Sequence, residues 1–358
     1  MLDLGWGGGK RNRKYVYGST RREVVAKLRE VQRQVDAGLP LASDLLTVLM
    51  WLAQWYEHHL SDDLSPNTVE QYRWIIESHL APDLGRIRLK ELAPADVEAM
   101  LKRKAESGLS SSTGMRIRSV LQMALQRAQV EGHIHRNVAE LARRPRVTHA
   151  EGKSLTGDEA TRLLKAVSST GLEAALMVML LHGLRPGEAM GLIWDDVDFD
   201  DRVLHIRRSL KREPAGLRLG GLKTKKSERA LAMPAPVHKA LRKRKVQQAE
   251  ELLRAGGGAP PDNLVFTTSA GTPVDPSNLR RALSRATRDA KLGHWKPYDL
   301  RHSCVSLLSA AGVPLEEIAD VVGHQGVRMT ADVYRHRVNP VVDSGVEVME
   351  DLFGDGST

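Results

Sequence analysis

Apolar residues recur at intervals of three and four through most of this chain of 358 residues, and that spacing restricts it to a fold built mainly from helices. Four such stretches lie within residues 44–135, which we interpret as a helical domain. Strand patterns are short and few. They are the basic, β-prone stretch at 10–17 and the segments Val203–Ile206 and Arg229–Met233. The sequence therefore predicts a fold that is mainly α with a small β-sheet.

The length sets the number of domains. At roughly 150 residues per domain the chain holds two or three, each able to bury a core. Between 136 and 153 the helical spacing disappears and basic residues outnumber acidic ones, so we interpret 136–153 as an extended basic linker. It separates a helical domain at 41–135 from a second domain at 154–358. Residues 1–40 hold one strand and one helix, too little for a core, so they either dock elsewhere or belong to an incomplete small domain.

The same spacing predicts the individual helices of each domain. Ser65 and Pro66 cap the start of one helix, and Thr156 with Glu159 form a capping box at the start of another. In the first domain the predicted helices are 45–60, 65–80, 94–104 and 111–130. In the second they are the helix after Thr156, an apolar helix around 174–181, and helices at 236–255, 276–291, 298–311, 314–322, 330–336 and 341–352.

Charge indicates a polyanionic partner. The chain carries 53 Lys and Arg against 44 Asp and Glu, a net charge of +9. A solvated basic surface gives the same totals, so charge alone leaves both interpretations open. The single cysteine, Cys304, excludes an internal disulfide and a multi-cysteine metal site, and is typical of the reducing cytoplasm. The longest apolar run, Ala174–Leu181, is too short for a membrane span.

Four separated segments of the second domain carry residue types suited to phosphate chemistry, and each is ambiguous alone. In His182–Glu188 a glycine and a proline interrupt an apolar helix and expose Arg185, which Glu188 can brace; the alternative is an ordinary surface turn. Leu222–Arg229 concentrates basic residues, among them Lys223, and like charges packed together cost energy that a polyanion relieves. The alternative for this second segment is a solvated loop.

The other two segments lie further along the chain. A proline-initiated helix places Tyr298 and Arg301 on one face with His302 beside them. The alternative is a structural helix in which Arg301 pairs with an acidic side chain. His324 precedes Tyr334 by ten residues, and the alternative there is a core tyrosine and a loop histidine with no chemical role.

In this order and spacing, the motifs resemble those of the tyrosine recombinase family, the phage-type integrases. They are G-L-R-x-x-E, a lysine ahead of S-x-R-x-x-x-x-P, D-L-R-H, a G-H pair, and a tyrosine ten residues after that histidine. Each motif is weak alone, and the five in order are specific. The resemblance covers the whole chain. It implies a core-binding domain at 41–135, a mixed α/β catalytic domain at 154–358, and part of an arm-binding domain at 1–40.

The resemblance assigns roles that suit the chemistry of a phosphodiester. Arg185 and Arg301 would hold its non-bridging oxygens, because guanidinium groups are planar and permanently charged. Tyr334 would attack phosphorus and form a 3′-phosphotyrosine bond. Lys223 would protonate the 5′-oxygen that leaves.

Three more residues belong to this site by position. His324 and His302 are candidates to accept the proton of the tyrosine or to hydrogen-bond the phosphate. Tyr298 departs from the family, which usually has histidine three residues before the second arginine. A phenol donates a hydrogen bond but takes up no proton at neutral pH, so we interpret Tyr298 as a hydrogen-bonding substitute.

The resemblance also implies partners. The two domains and their basic linker would close around double-stranded DNA at recombination sites, four protomers would join two sites, and accessory DNA-bending or directionality factors fit the same scheme. No metal or other cofactor is expected, because the phosphotyrosine bond conserves the energy of the bond it replaces. The expected DNA contacts are Lys10, Arg11, Arg13, Lys14, Arg143, Arg144, Lys225 and Lys226.

Three functions stay open on these grounds. The first is a site-specific recombinase that integrates or excises a mobile element. The second is a DNA-binding architectural or regulatory protein of the same fold without catalysis, which the intact catalytic residues argue against. The third is a topoisomerase-like nicking and closing enzyme. The arm-like N-terminus and the small size of the chain favour a recombinase over this third function. The expected location is the cytoplasm, at the nucleoid.

Overall fold

The structure is a computed structural model whose described residues are 2–7, 10–14, 20–22, 24–26, 29, 33, 45–60, 64–145, 153–168, 171–222, 227–258 and 260–323. The chain divides into two compact units, 1–149 and 150–358. Each unit has a buried apolar core of its own. Within the described ranges, no helix is both long enough and apolar enough to cross a bilayer.

The first unit consists of a two-stranded hairpin and a group of helices. Its elements are β1 (Leu2–Gly7), β2 (Lys10–Lys14), α1 (Val48–His58), α2 (Pro66–Ile75), a π-helical turn (Ile76–Leu80), α3 (Ala81–Leu84), α4 (Pro94–Glu106), α5 (Ser111–Val130) and α6 (Val138–Leu141). The four helices predicted for the first domain are confirmed as α1, α2 with its π-helical continuation, α4 and α5.

Local capping and one buried aromatic explain much of this unit. Ser65 caps α2 as predicted, its hydroxyl accepting the backbone N–H of Thr68 at 3.4 Å. The apolar faces of α1 and α5 meet at Trp51, which is 1% exposed. Its indole N–H donates to the carbonyl oxygen of Ala124 at 2.8 Å, so this fully buried indole is also satisfied as a donor.

The segment 136–153, predicted to be extended, differs from that prediction in its first part. There the chain forms α6, which Asn137 caps with its side chain. Val138 and Ala142 are buried in the core of the first unit. A single helical turn is too short to show an apolar period, so the sequence pattern missed it. Residues 146–152 lie outside the described residues.

The N-terminal region contains one strand more than the sequence predicts. The strand expected at 10–17 is β2, and it pairs antiparallel with β1, whose glycines and mixed polarity gave no strand pattern. Helical backbone follows at Arg21–Arg22 and Val24–Ala26, consistent with the one helix predicted within residues 1–40. The structure describes only the backbone of β2. The predicted DNA contacts of its side chains, Lys10, Arg11, Arg13 and Lys14, therefore stay predictions.

The second unit packs helices around a small antiparallel sheet. Its elements are α7 (Gly157–Val167), α8 (Glu173–Leu181), α9 (Pro186–Met190), β3 (Val197–Asp198), β4 (Val203–Ile206), β5 (Arg208–Glu213), β6 (Gly216–Gly221), β7 (Arg229–Ala232), α10 (Ala235–Arg254), α11 (Pro276–Asp289), α12 (Pro297–Ala310) and α13 (Leu315–Val322). The predicted helices that fall on described residues are confirmed. Those at 330–336 and 341–352 lie outside them.

The sheet of this unit is larger than predicted. The two predicted strands are β4 and β7, which pair with each other, and β3 adds to the edge of β4. Where the sequence indicates only a glycine-rich basic stretch, β5 and β6 form a second hairpin. Its residues are mostly charged or glycine and Leu210 alone is buried, so no apolar alternation marks it.

Candidate active site

A sharp turn between α8 and α9 positions the first predicted arginine. Gly183 follows α8 with φ of +62°, in the left-handed region that glycine adopts without strain. A Cβ at this position would lie 2.6 Å from Cγ1 of Val322, so no other residue fits. Pro186 then begins α9 and leaves Arg185 at the N-cap position, partly exposed.

Glu188 holds Arg185 in place. Its carboxylate accepts Nη1 of Arg185 at 2.6 Å and the backbone N–H of the same residue at 3.1 Å. Burial works to raise the pKa of Glu188, but the charge of Arg229 and the contacts with Arg185 outweigh it and keep the pKa below its ordinary value. Burial works to lower the pKa of Arg185, yet Glu188 raises it above its usual range. Both groups are therefore charged at neutral pH.

The second predicted arginine reaches the same turn from α12. Arg301 is 1% exposed, and its Nη1 donates to the carbonyl oxygen of Gly183 at 2.7 Å. Its Nη2 is buried and has no hydrogen-bond partner among the described residues. Burial, followed by the charge of Arg185, lowers the pKa of Arg301 to about 10. An unpaired cationic N–H thus lies beside the Arg185 turn.

Tyr298 and His302 lie one turn apart near the start of α12. Tyr298 is 44% exposed, and its hydroxyl interacts with Arg185 closely enough to contribute to the raised pKa of that guanidinium. Its ring contacts the imidazole of His302 edge to face, with centroids 5.3 Å apart. His302 is half-buried, and burial lowers its pKa, which favours the neutral ring.

A third arginine, which the sequence analysis did not assign to the site, completes the cluster. Arg229, the first residue of β7, donates from Nη2 to Glu188 at 3.0 Å and from Nε to the carbonyl oxygen of Val321 at 2.8 Å. Its side chain is 7% exposed. Burial lowers its pKa, and Glu188 opposes that shift. The only available signal was the arginine of the S-x-R motif, which marks the position but not the contacts.

The structure brings together five of the predicted residues and leaves others outside its description. Arg185, Glu188, Tyr298, Arg301 and His302 converge around the α8–α9 turn. Arg143 and Arg144 are exposed after α6 in the first unit, where the backbone N–H of Arg143 donates to Glu98. The predicted residues outside the described ranges are Lys223, Lys225, Lys226, His324 and Tyr334.

The cluster concentrates positive charge. Arg185 and Arg229 pair with the carboxylate of Glu188, and Arg301 interacts with it electrostatically; Arg229 and Arg301 are almost fully buried. Electrostatic repulsion inside the protein is screened less than in water, so an anion with two oxygens would be held strongly here. Among the described residues, no three His, Cys, Asp or Glu side chains are grouped to hold a metal ion. The arrangement suits electrostatic stabilisation of a phosphate.

The two parts of the sequence match two known domains. Residues 153–339 match the Phage integrase family, and residues 50–144 match the Phage integrase central domain. An integrase from Streptomyces ambofaciens is 36% identical to this chain, covering 97% of it and 91% of the relative. A tyrosine recombinase XerC-like protein from Caldanaerobacter subterraneus is 25% identical to this chain, and the match covers 96% of this chain and 93% of that protein.

Solved structures share the fold. The Tn1549 transposon integrase in complex with a circular intermediate DNA has a TM-score of 0.73 at 21% identity, covering 86% of this chain and 99% of that one. A lambda integrase tetramer bound to a Holliday junction has a TM-score of 0.64 at 20% identity, covering 93% of this chain and 92% of that one. These similarities confirm the predicted fold class, a helical domain followed by a mixed α/β catalytic domain.

Proposed function

This chain belongs to the phage integrase family and is a tyrosine-type site-specific DNA recombinase, and we propose that Arg185 and Arg301 hold the phosphate that it cuts while Tyr334 attacks it. The observation that carries this assignment is the convergence of both guanidinium groups on the α8–α9 turn, where Nη2 of Arg301 finds no partner among the residues that the structure describes. A buried donor without a partner costs about 1–3 kcal/mol, and an anionic oxygen that reaches it removes that cost.

The proposed reaction exchanges one phosphoester for another. The hydroxyl oxygen of Tyr334 attacks phosphorus and the bond from phosphorus to the 5′-oxygen breaks, leaving a 3′-phosphotyrosine bond. Lys223 gives its proton to the departing 5′-oxygen, and His324 or His302 accepts the proton of the phenol. A 5′-hydroxyl from another strand then reverses the step and rejoins the DNA. Each bond broken is matched by a bond of the same kind.

Tyr298 is proposed to hydrogen-bond the phosphate in place of the usual histidine. Its partial exposure and its interaction with Arg185 support this role, because they place the side chain next to a guanidinium proposed to bind the phosphate. A phenol O–H can donate a hydrogen bond to a phosphate oxygen.

The wider assembly is proposed from the relatives. Two structural neighbours are integrases bound to DNA, one of them a tetramer on a Holliday junction, and this supports a tetramer of this chain on two recombination sites in the cytoplasm. The exposed Arg143 and Arg144 are proposed to contact the DNA backbone. The other proposed DNA contacts are Lys10, Arg11, Arg13, Lys14, Lys225 and Lys226.

Trapping of the covalent intermediate tests the assignment of the nucleophile. The DNA is a site selected by binding from a random pool, nicked so that the short 5′-hydroxyl fragment diffuses away after cleavage. Wild-type protein is expected to accumulate a covalent DNA adduct, and Tyr334→Phe is expected to bind the same site without forming one. The matched control is Tyr72→Phe in the helical unit, which keeps the adduct. A wild-type protein that binds the site and forms no adduct would favour DNA binding without catalysis.

A further inference from the structure

Arg229 makes three contacts that none of the roles above requires. Besides its ion pair with Glu188, its Nε donates to the carbonyl oxygen of Val321 at 2.8 Å and its Nη1 donates to the carbonyl oxygen of Ser227 at 3.0 Å. The three partners lie on different parts of the unit, namely α9, the end of α13, and the stretch just before β7. One buried side chain therefore joins three segments that are distant in sequence.

The contact with Glu188 connects Arg229 to Arg185 of the proposed phosphate site. Glu188 shares its two carboxylate oxygens between the two arginines: Oε1 accepts Nη1 of Arg185, and Oε2 accepts Nη2 of Arg229 as well as the backbone N–H of Arg185. Arg229 thus fixes the plane of the carboxylate that orients Arg185. Without it, Oε2 of this buried carboxylate loses its charged partner and keeps only the backbone N–H of Arg185.

The contact with Val321 lies at the C-terminal end of α13. Gly323 ends this helix in the left-handed conformation, with φ of +67°, and a Cβ there would lie 3.0 Å from Nη1 of Arg229. The carbonyl oxygen of Gly323 in turn accepts Nη2 of Arg185 at 3.3 Å. His324 is the next residue of the sequence. Arg229 therefore packs against the point from which the chain continues to a proposed catalytic residue.

We propose that Arg229 is a positioning residue for DNA cleavage, which sets the orientation of Arg185 through Glu188 and fixes the end of α13 ahead of His324. This inference rests on the proposed roles of Arg185 and His324. Arg229 touches no substrate, because its side chain is buried and its donors are directed at protein acceptors. Only arginine suits the position, because the three nitrogens of its planar guanidinium donate to three acceptors in fixed directions, whereas a lysine has a single nitrogen.

Arg244 offers a matched control in the same unit. Its side chain is 3% exposed, and it donates to the carboxylate of Glu251 at 2.9 Å and to the carbonyl oxygens of Val265 and Thr267. Arg229 and Arg244 are thus both buried, both paired with one glutamate and both bonded to two carbonyls. They differ in what they hold, because the partners of Arg244 include none of the proposed catalytic residues.

The test compares Arg229→Gln with Arg244→Gln on the nicked DNA substrate. Adduct formation is measured in a single turnover at saturating protein, DNA affinity is measured separately, and thermal unfolding of each variant is recorded. For Arg229→Gln we expect cleavage to slow by about 10- to 100-fold, while the Kd for DNA changes less than about threefold, because misplaced groups impair the reaction more than binding. For Arg244→Gln we expect unfolding at a lower temperature and cleavage within about threefold of wild type.

Two further variants test how Arg229 acts. One of them, Arg229→Lys, replaces Arg229→Gln in the test if Arg229→Gln does not fold. Arg229→Lys keeps the charge and is expected to cleave faster than Arg229→Gln but slower than wild type. Combined with Glu188→Gln, the Arg229→Gln change is expected to slow cleavage by less than the product of the two single effects, since both act on Arg185. Multiplicative losses would contradict the path through Glu188.

Two results would overturn the inference. One is wild-type cleavage by Arg229→Gln or, if that variant is unfolded, by folded Arg229→Lys. The other is an equal loss in the Arg229 and Arg244 variants, which would reduce Arg229 to a stabilising side chain. Failure of the proposed function has a different signature, because wild-type protein would then form no adduct at all.

Discussion

Two buried arginines in different units of the molecule show how the same group serves two purposes. Arg118, in the helical unit, is 2% exposed, and its two Nη atoms donate to the side chain of Gln122 and to the carbonyl oxygens of Glu140 and Ala142. Arg301, in the other unit, is 1% exposed, and within the described part of the chain its Nη1 donates to the carbonyl oxygen of Gly183 while Nη2 has no partner. Each side chain leaves one donor without a partner among the described residues, Nε in Arg118 and Nη2 in Arg301, so the two differ in what surrounds them.

The difference lies in what surrounds each cation. Nη2 of Arg118 donates to the segment that contains α6 and so joins α6 to α5, which is a structural role. Arg301 has two other guanidinium groups among its charged neighbours, those of Arg185 and Arg229, and both lower its pKa. Such an excess of charge is unfavourable until an anion arrives. The comparison indicates that neighbouring guanidinium groups, rather than an unpaired donor alone, mark the functional cation, because Nε of Arg118 is also without a partner among the described residues.

The largest expected effect is on cleavage by Arg301→Lys. A lysine ammonium has one nitrogen and cannot donate to Gly183 and to a phosphate oxygen with the fixed geometry of two guanidinium nitrogens. We therefore expect single-turnover cleavage to fall by about 10²- to 10³-fold. DNA affinity is expected to change little, since one phosphate contact among many is altered. The measurement is adduct formation on the nicked site. A loss smaller than about tenfold would remove Arg301 from the phosphate site.

Arg118→Met is expected to have the opposite profile. Loss of the bonds to the carbonyls of Glu140 and Ala142 leaves one partly buried and one buried acceptor without this donor, which lowers the free energy of unfolding by about 1–3 kcal/mol. The rate of cleavage per folded molecule should stay at the wild-type value. Denaturant unfolding and the adduct assay measure the two quantities on one preparation. A cleavage defect in folded Arg118→Met would break the contrast between the two arginines.

Tyr298→Phe removes one proposed hydrogen bond to the phosphate. We expect cleavage to slow about tenfold, the effect of losing one donor to a charged acceptor. Tyr298→His restores a donor and is expected to recover much of the rate, with a new dependence on pH near the ordinary pKa of histidine. Unchanged cleavage by Tyr298→Phe would place this hydroxyl outside the reaction.

The smallest expected effect is on stability at mildly acidic pH. Burial lowers the pKa of His182 below its ordinary value of 6.5, so the unfolded chain binds this proton more readily than the folded one. The free energy of unfolding therefore falls as pH drops below about 6.5. Unfolding curves between pH 7.5 and about pH 5 should show a shallower fall for His182→Gln than for wild type. The control is the exposed His294→Gln, and equal slopes in both variants would contradict the assignment to His182.

Features that depend on nearby residues could be predicted from the sequence. The helices and their caps at Ser65 and Thr156 follow from spacing and from one polar side chain each, and the structure contains them. The hairpin of β5 and β6 escaped prediction because its strands are held by backbone pairing to each other rather than by an apolar face. Helix α6 escaped because one turn has no period.

The same limit applies to the site. Arg185, Glu188 and Arg301 were predicted from short motifs, and their convergence on one turn is what the structure adds. Arg229 was passed over, because its importance comes from contacts with Glu188 and Val321, which lie far from it in the sequence. The roles of Lys223, His324 and Tyr334 stay predictions of the sequence motifs.

A structure of the Tyr334→Phe protein on its nicked DNA site is the most direct test of the central claim, that Arg185 and Arg301 serve one phosphate. The account predicts that both guanidinium groups lie within about 3 Å of non-bridging oxygens of the scissile phosphate, as hydrogen bonds require. It also predicts that Nη2 of Arg301 is no longer unpaired. Guanidinium groups bound to two different phosphates, or an Arg301 that contacts only protein, would contradict it.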